Sequence, residues 1–331
     1  MPPEIGALLP EAGAAGAATP ARAWRRHLLA VVACCLLALA LNHGALAGAV
    51  RVWTGSVTYR FGMLAPFVVV LWLWWLSPRL ATVRPSLGPM GLPVVAAGAA
   101  LAALAESFDI LVVQQLALVA LWQALVLTLL GRRAFLALLA PLLYLYFAVP
   151  QGQELIAPLQ AFTAEVSVLL TRLAGIPAQT DGVLIHAGGA VFHVTEACAG
   201  LRFLLVALAI GVLIAMFWFR SWRARLAFVA LSLALPLIAN ALRVAGLIVL
   251  VETVGLQAAL RVDHLTYGMV FSLALLVVQV AVAVRFGGSP VRPEPEPAGE
   301  TEAPVPAGRL ATIGAAAALL TLVPALAVRA L

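Results

Sequence analysis

Lysine does not occur in this chain of 331 residues, and charge of either sign is sparse: 10% of residues are charged, against roughly a quarter in soluble domains. That scarcity, set beside 64% hydrophobic residues, excludes an ordinary soluble domain and points to an all-α polytopic membrane protein. All 20 basic residues are therefore arginine, and the formal net charge is +6. This balance reads as genome composition together with the arginine-rich cytoplasmic loops expected of a membrane protein, and it implies no nucleic-acid partner. Cysteine is equally sparse. Cys34 and Cys35 are adjacent in an apolar run and Cys198 stands alone, so no disulfide framework is encoded. Neither an HExxH nor a GxSxG sequence is present, which removes the usual zinc-protease helix and the serine nucleophile elbow. No helical-array repeat is visible.

What is present is a series of long apolar runs, at about 28–50, 61–76, 90–105, 110–130, 134–149, 201–219, 226–251, 265–284 and 310–328, which predicts about 8–9 membrane spans. The first run is too long for a signal-peptide core and carries Asn42 and His43 where small residues would mark cleavage, so it reads as a retained span. Arginine is biased to one side. Arg22, Arg25, Arg26, Arg79, Arg84, Arg132, Arg133, Arg220, Arg223, Arg225, Arg285, Arg292 and Arg309 share the side of the N-terminus, opposite Arg51, Arg60, Arg172, Arg261 and Arg329. The positive-inside rule then puts the N-terminus in the cytoplasm and Cys198 and His264 on the outer face. Residues 1–27 form an expected disordered tail, 28–285 a membrane domain, 286–309 a Pro- and Glu-rich cytoplasmic tether, and 310–331 a further span. The longest outer segment begins with a mixed-polarity stretch, 155–173, suited to an amphipathic helix lying along the interface or docked on the bundle. It continues with two expected short strands, 182–186 and 190–194, joined by Gly188 and Gly189.

The hairpin leads into Glu196–Arg202, EACAGLR. A free cysteine is by default a small buried hydrophobe, but a carboxylate, a thiol and a guanidinium within seven residues at a membrane boundary suggest use. A cysteine at a helix N-terminus, with Arg202 four residues on along one face, is expected to favour its thiolate. Arg243 lies about eight residues inside the seventh span in ANALRVAG, behind Pro236 and Asn240. An arginine at that depth faces a polar cavity or a partner, unless it snorkels over a strained ~12 Å. Glu252 ends the same span as an interfacial charge. His264, in VDHLTYGMVFS, begins the next span. It is either an ordinary interfacial residue or a proton carrier of near-neutral pKa at the depth of Cys198.

Convergence of His193, Glu196 and His264 on a zinc ion is weighed against this reading, but His193 and Glu196 stand on a strand and loop rather than one helical turn apart. A transporter or polysaccharide-assembly protein holding an anion at Arg243 explains the arginine and leaves Cys198 unused. Thiol chemistry on an acyl group uses all three residues: a sulfur attacks a carbonyl, a cation stabilises the oxyanion, and an imidazole moves protons.

EACAGLR, ANALRVAG and VDHLTYGMVFS, in that order over roughly 28–285, resemble the exosortase/archaeosortase family of membrane cysteine transpeptidases, and most closely its bacterial exosortase A branch. The resemblance implies that Cys198 is the nucleophile, Arg243 the catalytic arginine and His264 the third member, with Arg202, Glu196 and Asn240 in support. It implies no metal or organic cofactor. The implied partners are exported proteins bearing a C-terminal Pro-Glu-Pro motif, a membrane helix and a basic cluster, together with an acceptor nucleophile, surrounding lipid and a link to exopolysaccharide. Ala199, Ala241 and Met269 depart from the residues common in the family, at positions that carry no catalytic group.

Overall fold

The computed structural model describes residues 20–259, 264–291 and 305–329. The expected N-terminal tail up to residue 19 and the central part of the expected tether, 292–304, lie outside the described residues. In chain order the main elements are α1 (Pro20–Leu41), α2 (His43–Gly55), α3 (Ala65–Trp75), α4 (Leu92–Ser107), α5 (Leu111–Tyr144), α6 (Ile156–Leu173), β1 (Ala178–Asp181), β2 (Leu184–Ala187), β3 (Ala190–His193), α7 (Leu201–Trp218), α8 (Trp222–Val254), α9 (His264–Gly287) and α10 (Ala307–Arg329). Among the described residues, 8 helical stretches are long and apolar enough to cross a membrane. With one small sheet, this is an all-α polytopic membrane protein.

Three expectations shift. The single span expected at 28–50 is broken at Asn42, whose side-chain amide donates to the Ala38 carbonyl at 2.9 Å; α1 ends there and α2 begins one residue later. Such a local side-chain bond competes with the helical ladder. The expected span at 61–76 is too short to count among the 8: its first turn, Arg60–Leu64, is a 3-10 helix and a new helix starts at Ser77 with Pro78 in its first turn. The runs at 110–130 and 134–149 form one stretch kinked at Gly131, whose φ of 78° and ψ of 171° are open only to glycine. The stretch 153–173, expected along the interface or docked on the bundle, is itself one of the 8 candidate spans and packs on α8. The reason is that its polar residues are spent inside the protein: Thr163, Ser167 and Thr171 are all buried.

The chain divides into two compact units. One comprises residues 20–46, 72–142 and 305–329 of the described chain. Here α10 packs on α4 and α1, and the Cys34 thiol lies 3.8 Å from the Gly314 carbonyl. The segment before α4 is laced to α5 by Ser86 N–H to Leu130 O at 3.1 Å and Gly88 N–H to Thr128 O at 2.9 Å.

The second unit comprises 47–71 and 143–291. The short Phe219–Ser221 connection makes α7 and α8 antiparallel neighbours. They approach so closely that a Cβ on Gly211 would sit 2.2 Å from Ser232 Oγ. The α9 helix covers both, with Gln279 Nε2 donating to Ala207 O at 2.9 Å, while α6 packs on the other side of α8. Three antiparallel strands in the order β1-β2-β3 sit on α6, one more than the two-stranded hairpin expected. The expected Gly-Gly turn is there, with φ of 54° at Gly188 and 86° at Gly189, as a two-residue turn of the type I′ kind requires.

Gly131→Ala is expected to cost about 1–3 kcal/mol, because a Cβ there combines a forbidden backbone angle with a clash against Ser86 Oγ. Thermal unfolding in detergent should show a lower midpoint; an unchanged midpoint would mean the kink is not required.

Candidate active site

The site is built where three backbone segments of the second unit meet one buried amide. Asn240, on α8, is 2% exposed. Its Nδ2 donates to Thr163 Oγ1 on α6 at 3.0 Å and to the Cys198 carbonyl at 2.7 Å. Its Oδ1 accepts from Arg243 Nη2 at 3.3 Å, one turn further along α8. Every hydrogen-bonding direction this side chain has toward its neighbours is thus used, which is what burial of an amide demands.

Arg243 is 4% exposed, so it is held inside the protein rather than reaching for the membrane surface. Its guanidinium carbon lies 5.3 Å from the centre of the Phe203 ring, and that of Arg202 lies 5.2 Å from the same ring. Two cations on one aromatic ring are each attracted by its π face, worth about 0.5–2 kcal/mol apiece.

Cys198 does not occupy the position expected of it. It closes a 3-10 turn, Glu196–Cys198, in which its own N–H donates to Thr195 O at 2.8 Å. Gly200, at a φ of 84°, then separates the turn from the first residue of α7, Leu201. Cys198 and Arg202 therefore do not share a helical face, and the four-residue spacing read from sequence does not pair them. The left-handed angle at Gly200 is what lets the turn reverse into the helix. It also leaves room for the amide, since a Cβ at Gly200 would lie 2.7 Å from Asn240 Cγ.

Cys198 is half-buried. It packs against an apolar cluster formed by Ala164 and Val168 of α6, Ala178, Ile185, Ala187 and Val194 of the sheet region, and Ile248 of α8. Gln160 on α6 fastens the end of this region by donating to Val194 O at 2.8 Å. On the other side of the same turn, Glu196 and Ala197 line a cavity of about 720 Å³ together with Arg202, Arg243, Leu201, Ile156, Gln153, Tyr59 and Ser56–Thr58. The thiol is beside this cavity, not among the groups that line it. Glu196 is exposed at its edge. Tyr59 is 6% exposed, and its burial, with Glu154 nearby, pushes its phenol above the usual tyrosine range against a smaller opposing effect of Gln153.

His264 is the first residue of α9; its side chain, and Asp263 before it, lie outside the described residues. The structure thus gathers Cys198, Asn240, Arg243, Arg202 and Glu196 around one turn, and it says nothing of the imidazole. Sequence reasoning missed Thr163, Phe203 and Tyr59. The first could have been found, because Gln160, Thr163, Ser167 and Thr171 recur at helical spacing on one face of α6. Phe203 and Tyr59 carry no such signal.

The fold and site define a helical membrane protein with a polar cavity walled by two arginines next to a cysteine turn. More narrowly, the chain belongs to the transmembrane exosortase family, whose sequence model matches residues 53–280. No curated protein and no solved structure matches the chain.

Asn240→Ala removes its tether to the turn and its bond to α6, each worth about 0.5–1.5 kcal/mol. In a Cys34→Ser, Cys35→Ser background, alkylation of Cys198 by a maleimide is expected to quicken several-fold in Asn240→Ala and to stay unchanged in Thr163→Ser, which keeps the hydroxyl. Equal rates in all three proteins would show that Asn240 does not hold the turn.

Proposed function

We propose that this protein is a membrane cysteine transpeptidase of the exosortase A kind. It cleaves the C-terminal sorting signal of exported proteins and passes the new C-terminus to an acceptor. The observation that carries the reading is the tether from Arg243 through Asn240 to the backbone of Cys198, which joins a buried cation in the wall of one cavity to the turn that carries the thiol.

In this reading the thiolate of Cys198 attacks the scissile carbonyl, and the carbonyl electron pair becomes an oxyanion. Arg243 donates hydrogen bonds to that oxygen. A guanidinium suits this role because it offers several fixed donors and its charge is little screened in a buried site. Collapse of the tetrahedral adduct expels the amine, which takes a proton from the imidazolium of His264, and leaves a thioester on Cys198. His264 then removes a proton from the incoming acceptor, or from water, as that nucleophile attacks the thioester and releases the thiolate. Arg202 and Glu196 orient substrate at the cavity edge. The substrate is an exported protein with a Pro-Glu-Pro motif, a membrane helix and a basic cluster, in an organism that makes exopolysaccharide. The enzyme sits in the bacterial inner membrane, N-terminus inside, with this cavity on the periplasmic side.

A second reading, a membrane carrier with an anion held between Arg202 and Arg243, is favoured by one fact: both arginines line the cavity and the thiol does not. The readings separate in cells that accumulate full-length and processed substrate. Cys198→Ala is expected to abolish processing while the protein still accumulates in the membrane, and Arg243→Lys to slow it about 100-fold or more, the scale of losing an oxyanion donor. Normal processing by Cys198→Ala would exclude the transpeptidase.

A further inference from the structure

We infer that the first unit carries a binding site for one anionic glycerophospholipid. Its acyl chain lies in an apolar groove and its phosphate rests on a cluster of arginines from three separate segments of the chain.

The groove has a volume of about 370 Å³ and is lined by Trp24 and Leu28 of α1, Leu73 of α3, Leu80 and Ala81 of the following turns, and Leu138 of α5, with Ser77 the one polar residue. Backbone contacts bring the arginines together beside it. Trp24 Nε1 donates to Val83 O at 2.9 Å, which sets the start of α1 against the residue before Arg84. His27 Nδ1 lies 2.5 Å from Leu129 O, which sets the same turn of α1 three residues before Arg132 and Arg133. The Ser86 N–H to Leu130 O bond of 3.1 Å ties the second and third segments to each other. Arg22, Arg25, Arg26, Arg84, Arg132 and Arg133 are all exposed.

The cluster meets no carboxylate of its own unit among the described residues. The two there are Glu106 and Asp109, at the far end of α4, whose 16 residues put them about 24 Å from its start. That start abuts Thr128 of α5, since a Cβ on Gly91 would fall 2.2 Å from Thr128 Oγ1. The positive-inside bias accounts for the sign of such loops. It does not require three of them to converge, nor an apolar groove with a tryptophan at the point of convergence. Basic pockets of this kind between membrane helices recognise phosphate headgroups, and the groove supplies the place for a chain that a soluble anion would lack.

The test is native mass spectrometry of the full-length protein in detergent, offered equimolar phosphatidylglycerol and phosphatidylcholine. The expected result is one retained phosphatidylglycerol at about tenfold preference, a difference of about 1.4 kcal/mol, undisturbed by millimolar glycerol 3-phosphate. The Arg25→Gln, Arg26→Gln, Arg132→Gln, Arg133→Gln protein should lose the preference. Ala81→Phe, which fills the groove and keeps every charge, should lose the bound lipid; it serves as the decisive variant if removal of four arginines upsets insertion. Equal retention of the two lipids, full retention by Ala81→Phe, or displacement by glycerol 3-phosphate would each overturn the inference.

Discussion

A primary amide buried in the middle of a membrane-spanning helix has to find partners within the protein, and at Asn240 that requirement organises the second unit. Its NH₂ group reaches one element on each side, the Thr163 hydroxyl of α6 and the Cys198 carbonyl, while its oxygen takes Arg243. Leaving any of these groups bare would cost about 1–3 kcal/mol, more for the charged one. The geometry propagates into sequence: Gly200 has to lack a side chain where Asn240 passes, and Ala199, 1% exposed, has to be small. Ala199 was read from sequence as a mere departure from the family's usual residue. Here it is a packed position in the turn that carries the cysteine.

The same logic explains how α6 can belong to a membrane protein while looking half polar. Its Ser167 hydroxyl donates to the Ala241 carbonyl at 3.0 Å, immediately beside Asn240 on α8, and Gln160 holds the strand end at Val194. Arg172 Nε, at the end of α6, donates to Ala178 O at 2.7 Å and starts the sheet. The polar stripe of α6 is therefore a row of fasteners for α8, for the sheet and, through Asn240, for the cysteine turn.

Much of the fold was legible because apolar runs and turn chemistry are local. The long hydrophobic stretches became helices, and the Gly188-Gly189 pair became a hairpin turn with both angles positive. What escaped depended on partners far away in sequence. Gly131 breaks its helix against the distant Ser86 segment, and an apolar run alone does not announce such a break. The amphipathic character of 155–173 was visible, but a polar face looks the same whether it meets water or a neighbouring helix. Around the cysteine, the dense cluster of chemistry was apparent from spacing. The premise of a continuous helix through Cys198 and Arg202 was not met, because a glycine at a left-handed angle stands between them.

The way Cys198 is held bears on what its sulfur is free to do. The tether from Asn240 grips the residue by its carbonyl, and the 3-10 turn fixes its N–H, so the backbone is set from both sides by bonds among the described residues. The two residues before it face the 720 Å³ cavity, and its own side chain packs toward Ile185, Val194 and Ile248. A turn fixed by backbone alone, at the seam between an apolar cluster and an arginine-walled cavity, separates two tasks. The buried amide and the left-handed glycine decide where the residue stands, and the apolar cluster decides what its side chain packs against.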